Sequence, residues 1–484
     1  MAEQITRLRS MGTFVLSLLF LGNLFLKSEL VYELCFLLMV AVIVLSLPAV
    51  TGVSRVIGFA SLGLSVLLLL IYRAPLSVWR QALMGNLYLV ALFTMVPILS
   101  IPIQHGGYYS ALENFFRSHV HSTSRYYVLV SFISAFVGVL VNLAVVPLVY
   151  EIVQASELSR NKRLMSSAIS RGFTTCMIWA PTTAAVALVL QLSGASWGRF
   201  FPLGILCGVI CGIIGYIMTM IQERGGFGAL GLGGGNEEIE RHTERNTEDH
   251  SNVISKDDSQ NPSSETAKLH KIVELAAFSV ILMVSIAVIS VVTGIQTVII
   301  VSLAALIFPF LWMGMIGRLS VLTKVIKTYY FKDRLTKLSS EIVLFVGAGM
   351  LAESIAYSNL GHYIPMVLSK LVGESAFLLS VVVIFGSVIL SAMGVHPIIH
   401  ITIIGASLQA SAFGVSPTYI ALLLGVSWSM GITLAPTSPT VITLSGLASR
   451  SPVQVGLKWN GLYVLISSCV LIVFLTGLRM AGWL

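Results

Sequence analysis

Long apolar segments recur along nearly the whole chain and are separated by short polar connections. Runs of about 18 or more apolar residues are long enough to cross a bilayer as helices. The pattern therefore predicts an all-α polytopic membrane protein. Its predicted crossings are residues 12–26, 30–48, 56–72, 82–104, 165–195, 200–221, 272–293, 295–316, 340–364, 413–448 and 460–481. Two further apolar stretches, 127–153 and 376–410, are predicted as re-entrant helical hairpins.

The distribution of basic residues supports this assignment. With the two hairpins in place, 23 of the 29 Lys and Arg residues fall on one side of the membrane. Basic residues are enriched in cytoplasmic loops, so we expect a plasma-membrane protein with a cytoplasmic N-terminus and an extracytoplasmic C-terminus. The composition agrees, with 56% hydrophobic and only 10% charged residues. The net charge of +8 therefore indicates orientation and predicts no nucleic-acid partner.

Two polar stretches interrupt the apolar pattern. Residues 222–270 begin with a glycine cluster and become acidic and rich in Ser and Asn, which is typical of a disordered linker. No Gly-Lys-Ser/Thr follows the glycines, so a phosphate-binding loop is not predicted. The stretch from Arg318 to Lys337 mixes six cations with apolar residues and predicts an amphipathic helix at the cytoplasmic interface, with an anchoring or coupling role.

Two distant segments carry nearly the same motif. Trp179-Ala180-Pro181-Thr182-Thr183 lies within the crossing 165–195, and Leu434-Ala435-Pro436-Thr437-Ser438 lies within 413–448. Proline removes a backbone donor and breaks a helix. Broken membrane helices at matching positions in two halves of a chain indicate a transport site.

The duplication extends to the hairpins, because Ser134–Val139 resembles Ser391–Val395. In each half a hairpin precedes a broken helix, so crossings two to six pair with seven to eleven. Five crossings per unit invert the second unit relative to the first. The predicted domains are an extra N-terminal helix 1–29, a first repeat 30–221, a cytoplasmic linker 222–270 and a second repeat 271–484.

The run from Leu434 to Gly446 resembles the proline-rich broken-helix signature of the divalent anion:sodium symporter family, part of the ion transporter superfamily. The resemblance implies a scaffold domain, a transport domain that moves as an elevator, and a homodimer. In that family a Ser-Asn-Thr motif at each hairpin tip helps to bind sodium and substrate. Here the predicted tips read Val137-Gly138-Val139 and Gly394-Val395-His396, so the resemblance specifies neither the coupling ion nor the cargo.

Unwound backbone and hydroxyls at the breaks and tips form the predicted site. Half-helix N-termini suit an anion and freed carbonyls suit a cation; the alternative is that the hydroxyls only satisfy the backbone or pack. The candidate substrate- or ion-binding residues are Gly138, Val139, Asn142, Pro181, Thr182, Thr183, Glu353, Gly394, Val395, His396, Pro436, Thr437, Ser438 and Thr440.

Five polar or charged residues outside the Pro motifs are interpreted one by one. Glu353 lies deep in its crossing, where a carboxylate indicates function or a paired structural group. His396, at the second tip, is a candidate proton carrier or ligand, whereas His400 is interpreted as structural. Asn142 either coordinates the ligand or links the hairpin arms. Glu341 is predicted at a membrane edge, in contact with solvent.

The predicted function is a secondary active transporter of a small anionic or organic-acid solute, coupled to Na⁺ or H⁺ or exchanging, rather than an enzyme. One alternative is a cation/proton antiporter of the same fold, which His396 and Glu353 favour. A second is a non-transporting membrane enzyme or lipid-handling protein, for which no cluster of polar catalytic residues is evident. No cofactor or resident metal is predicted beyond a coupling ion. The expected partners are the solute, membrane lipids and a second copy of the chain.

Overall fold

The computed structural model describes residues 2–120, 122–154, 156–223 and 262–484. Most of the predicted linker 222–270 therefore lies outside the described residues. Within the described ranges the regular structure is helical.

Eleven helices precede the gap and ten follow it. The first group is α1 Ala2–Leu26, α2 Glu29–Ser46, α3 Gly52–Ile71, α4 Leu76–Met84, α5 Leu87–His105, α6 Tyr108–His119, α7 Thr123–Val141, α8 Val145–Val153, α9 Lys162–Cys176, α10 Ala184–Ser193 and α11 Trp197–Glu223. The second group is α12 Pro262–Thr293, α13 Thr297–Met315, α14 Leu319–Val325, α15 Ser339–Tyr357, α16 Tyr363–Val372, α17 Ala376–Ala392, α18 Pro397–Ser407, α19 Pro417–Leu434, α20 Pro439–Ala448 and α21 Trp459–Met480.

The predicted fold class, an all-α polytopic membrane protein, is confirmed. Eleven helical stretches of the described chain are long and apolar enough to cross a membrane. These eleven include Thr123–Val153, which we predicted as a hairpin, and they omit the predicted crossing 165–195. The omission has a physical reason, since the break after Cys176 leaves α9 and α10 too short to qualify separately. The chain remains helical from Ile326 to Leu338, so α14 and α15 belong to one long helical stretch.

The first hairpin turns later in the chain than predicted. We expected its tip at Val137–Val139, but these residues belong to the last turns of α7. The chain turns at Asn142–Ala144, and α8 packs back against α7. Asn142 adopts a positive φ of 53°, which Asn tolerates better than most residues. Gly138 instead allows close packing, because a Cβ there would lie 3.0 Å from the Phe173 ring.

Reciprocal contacts join the two halves. Helix α3 packs on α15, and α13 packs on α5, so the second crossing of each unit contacts the third crossing of the other. Likewise α10 packs on α18, and α20 packs on α8. This exchange of equivalent contacts is what two inverted copies of one unit produce when they share a pseudo-two-fold axis.

Each hairpin packs tightly on the broken helix of its own half. Helix α7 lies on α9, and α17 lies on α19. At the first contact, a Cβ on Gly172 would come within 2.3 Å of the Ser131 carbonyl oxygen. At the second, a Cβ on Gly431 would come within 2.6 Å of the Ser391 hydroxyl. Small residues permit this close approach of membrane helices.

Replacement of Gly172 by Ala tests this packing. The added methyl would collide with the Ser131 backbone, so we expect Gly172→Ala to lower the free energy of unfolding by about 1–3 kcal/mol. Thermal and denaturant unfolding of the purified protein in detergent would measure the change. Gly314→Ala is the control, because no atom lies within 4 Å of its added Cβ. Equal stability of the two variants would contradict the close approach.

Candidate functional site

The two breaks have the same backbone construction. The Ala180 amide donates to the Cys176 carbonyl, and the Ala435 amide donates to the Gly431 carbonyl, each at 2.8 Å. Pro181 and Pro436 follow directly and cannot donate. The helical hydrogen bonding of each first half therefore ends at its Ala-Pro pair, in the interior of the protein.

The second half-helices begin with matching caps. Thr183 accepts a hydrogen bond from the Val186 amide at 3.3 Å, and Ser438 accepts one from the Val441 amide at 3.2 Å. Both hydroxyls also donate back across the break, Thr183 to the Ala180 carbonyl at 2.9 Å and Ser438 to the Ile432 carbonyl at 2.7 Å. A hydroxyl at this position is a favoured N-cap, so both side chains fix where the helix resumes.

The preceding threonines join each break to a hairpin. The Thr182 hydroxyl donates to the Val139 carbonyl at the end of α7. The Thr437 hydroxyl donates to the Gly394 carbonyl at 3.2 Å, in the turn between α17 and α18. Gly394 has a φ of +93°, a conformation that glycine adopts without strain. The two Thr residues thus make equivalent contacts in the two halves.

A cavity of about 440 Å³ lies between the two halves. The first turn of α10 lines it through Thr183, Ala184 and Ala185, and the first turn of α20 lines it through Pro439 and Thr440. A helix gives the N–H groups of its first turn no carbonyl partner, and that end carries partial positive charge. Both half-helices therefore present positive ends to the same cavity.

Charged side chains from the segment before α15 and from its start form another wall. Arg334, Lys337 and Glu341 line the cavity. The Arg334 Nε and one Glu341 carboxylate oxygen are buried without a hydrogen-bond partner in the described structure. Lys337 forms a 2.7 Å ion pair with Asp333. The cavity wall thus contains a guanidinium and a carboxylate that each have one buried polar atom without a partner in the described structure.

Aromatic rings complete the apolar part of the lining. Phe93 contacts Phe345 edge-on at 4.7 Å between ring centroids, and Phe345 lies 6.4 Å from Trp428. All three line the cavity. An apolar wall with a few polar groups is the usual construction of a small-molecule site.

The structure brings some of the predicted site residues to this cavity. The predicted residues that line it are Asn142, Thr182, Thr183, His396 and Thr440. His396 is buried and caps α18, since its Nδ1 accepts from the Ile398 amide at 3.3 Å. Other predicted residues contribute through the breaks and turns described above, or adjoin them: Gly138, Val139, Pro181, Gly394, Val395, Pro436, Thr437 and Ser438.

Glu353 lies elsewhere. It accepts a 2.6 Å hydrogen bond from the Gln81 side chain of α4, and it is not part of the cavity lining. The Glu353 side chain is thus paired with Gln81 outside the cavity lining. His400 is buried, and neither ring nitrogen has a partner in the described structure.

A family model described as the DctM component of the tripartite ATP-independent periplasmic transporter matches residues 161–478. This range covers more than half of the chain. The chain belongs to the DctM family.

The comparison with solved structures supports the fold of this DctM-family chain. The chain is similar to the crystal structure of the Alcanivorax borkumensis YdaH transporter, which is described as revealing an unusual topology. The TM-score is 0.59 and the identity 15%, over 88% of this chain and 98% of that one. No curated protein matches the sequence. The family match confirms the predicted transporter class, while the closer resemblance to divalent anion:sodium symporters stays a prediction.

Sequence reasoning missed the three charged lining residues of this DctM-family chain. Glu341 was expected in solvent, but it faces the cavity. Arg334 and Lys337 were assigned to an interfacial helix on their amphipathic pattern alone. Their position immediately before a long apolar helix was the available signal, because the N-terminal end of α15 adjoins the space between the halves.

Thr182→Val and Thr437→Val test the links between breaks and hairpins. Each removes one hydrogen bond, worth about 1 kcal/mol, so we expect backbone amides of the attached turn to exchange hydrogen about fivefold faster. Hydrogen–deuterium exchange with mass spectrometry on the purified protein would measure this. Thr476→Val is the matched control, since its hydroxyl donates to Ile472 of its own helix. Unchanged exchange at both turns would contradict the assigned role.

Proposed function

We propose that this chain is a secondary active transporter of a small organic-acid anion, acting as the membrane component of a multi-component system. The observation that carries the proposal is the convergence of two capped half-helix N-termini on one cavity that also contains Arg334. A carboxylate placed there would accept hydrogen bonds from first-turn amides and interact favourably with both helix dipoles.

The size of the cavity agrees with a small solute. Its volume of about 440 Å³ falls within the range of ordinary small-molecule pockets. Arginine binds carboxylates with paired donors, and Arg334 retains a buried donor without a partner. Glu341 offers an acceptor on the same wall, so an acid that also carries a hydroxyl or amino donor would satisfy both side chains.

The family name supports partners that sequence reasoning did not predict. It describes one component of a tripartite, ATP-independent periplasmic transporter. We therefore propose that this chain works in the plasma membrane with separate partner components, alone or as the homodimer expected above. The bias of basic residues places Arg334 and Lys337 on the cytoplasmic side, so the cavity would adjoin the cytoplasm in this conformation.

An elevator motion and ion coupling complete the proposal. The mobile part would consist of the hairpins and broken helices, which pack on one another, and the scaffold would contain α3, α5, α13 and α15. We also propose that residues 30–221 and 271–484 form the two inverted repeats. The coupling ion is Na⁺ or H⁺, with the carbonyls at the breaks as ligands in the first case and His396 or Glu341 as carriers in the second. The antiporter alternative loses one of its two arguments, because Glu353 lies away from the cavity.

Arg334→Gln tests the anion site. Loss of the guanidinium should raise the KM for a transported organic acid about tenfold, because a charge-assisted hydrogen bond contributes about 1.5–3 kcal/mol. The measurement is uptake of labelled organic acids into proteoliposomes that contain the chain together with its partner components. Lys327→Gln is the control, since Lys327 is an exposed cation of the same segment that does not line the cavity. Equal KM values for the two variants would contradict the site.

Imposed ion gradients test the coupling in the same vesicles. We expect an inward Na⁺ gradient or an inward proton gradient to drive accumulation of the acid above equilibrium, since the transporter family is independent of ATP. Vesicles without gradients serve as the reference. Uptake insensitive to each gradient and to internal organic acid would argue against secondary active transport.

A further inference from the structure

A second large cavity lies on the outer side of the hairpin and broken helix of the first half. It is a groove of about 510 Å³ between α7, α9, α11 and α21, and it shares no lining residue with the substrate cavity. Its rims are exposed apolar side chains, among them Phe132 (62% exposed), Val209 and Ile213. The groove therefore opens laterally, towards the hydrocarbon of the membrane.

Two glycines, which have no side chain to fill the space, give the groove its depth. Gly208 and Gly212 lie on the same face of α11, and both line it. No atom lies within 4 Å of a Cβ built on Gly212, so the space beside it is open. Along α11 the lining extends from Ile205 to Tyr216, which is roughly 16 Å of helix. This length equals about half of a 30 Å hydrocarbon core, the depth that one acyl chain occupies.

A buried cation lies at one end of the groove. Arg171 lines it and is 1% exposed. Its guanidinium donates to the Asn460 side chain at 2.9 Å, to the Trp459 carbonyl at 3.1 Å and to the Thr219 hydroxyl at 3.4 Å. It also lies 4.7 Å from the centre of the Tyr463 ring. These partners are all neutral, and in the described part of the chain no carboxylate lies within 4 Å of it.

Arg171 is at the depth of a lipid headgroup. Thr219 lies one turn before the end of α11, and Trp459 is the first residue of α21, so the guanidinium is within roughly 6 Å of two helix ends. The Tyr463 hydroxyl is buried beside the Cys211 thiol without an oxygen or nitrogen partner, and Tyr463 lines the same groove.

We propose that this groove binds an acidic phospholipid, with one acyl chain along α11 and the phosphate group next to Arg171. The anion would neutralise a cation that has no carboxylate partner in the described structure, and the chain would cover an apolar surface of matching length. Basic pockets between membrane helices bind acidic lipid headgroups by this combination of charge and apolar contact. The proposal does not depend on the solute that the chain transports.

Lipid binding to the purified full-length protein tests the proposal. Native mass spectrometry and thermal denaturation would be recorded during titration with phosphatidylglycerol and, separately, with phosphatidylcholine. We expect phosphatidylglycerol to bind about tenfold more tightly and to raise the unfolding temperature further. Gly212→Leu should abolish this preference, because its side chain would occupy the open space beside α11 that the lipid chain needs.

The matched control is Gly314→Leu, since Gly314 is an exposed residue of α13 and no atom lies within 4 Å of a Cβ built on it. It should keep the preference for phosphatidylglycerol. Arg171→Lys retains the charge and should keep most of the preference, whereas Arg171→Gln should lose it if both variants remain folded by size-exclusion chromatography.

Three outcomes would overturn the proposal. Equal affinity of the unmodified protein for the two lipids would remove the role of the charge. Undiminished phosphatidylglycerol binding by Gly212→Leu would place the lipid elsewhere. A change of oligomeric state in Gly212→Leu, with lipid binding unchanged, would assign the groove to a second copy of the chain.

Discussion

A helix that stops inside a membrane leaves backbone groups that lipid cannot satisfy. This constraint explains the arrangement around both breaks. Thr183 and Ser438 satisfy an amide at the start of the second half-helix and a carbonyl before the break. The adjacent Thr182 and Thr437 bind the carbonyls of the hairpins. Because the same short motif closes the break and holds the hairpin, a broken helix and its hairpin form one structural unit.

The same hydrogen bonds at the breaks determine the electrostatics of the cavity. The caps leave the remaining first-turn amides of α10 and α20 directed to the space between the halves. Two positive helix ends, Arg334 and apolar rings then line the same cavity, with Glu341 as the one carboxylate among its described lining residues. An anionic solute would complete the hydrogen bonding and balance the charge. The proposed selectivity for organic acids thus follows from how the backbone is satisfied.

Sequence alone predicted the features that depend on local chemistry. The paired Ala-Pro-Thr motifs located the breaks, and apolar run lengths predicted the helical membrane fold. The direction in which a side chain points from its helix could not be predicted from the sequence. Glu341 and Glu353 lie on one helix, twelve residues apart, so they point about a third of a turn away from each other; depth within a crossing cannot show which one faces the cavity. Gly138 was assigned to the first hairpin tip within a segment that resembles the second hairpin, whereas in the structure it lies in α7 in close contact with Phe173.

Helix α9 shows how the two halves are joined near the site. Its Thr174 carbonyl accepts from the Ser429 hydroxyl of α19, and the Thr433 hydroxyl donates to the Thr174 hydroxyl, both at 2.8 Å. These buried bonds lie within a turn or two of the breaks in both helices. The two broken helices are therefore hydrogen-bonded to each other as well as packed on their own hairpins. A motion that alternates access between the two sides would then have to carry both breaks together past α3, α5, α13 and α15. Separate opening of either half would break buried hydrogen bonds that lipid cannot replace.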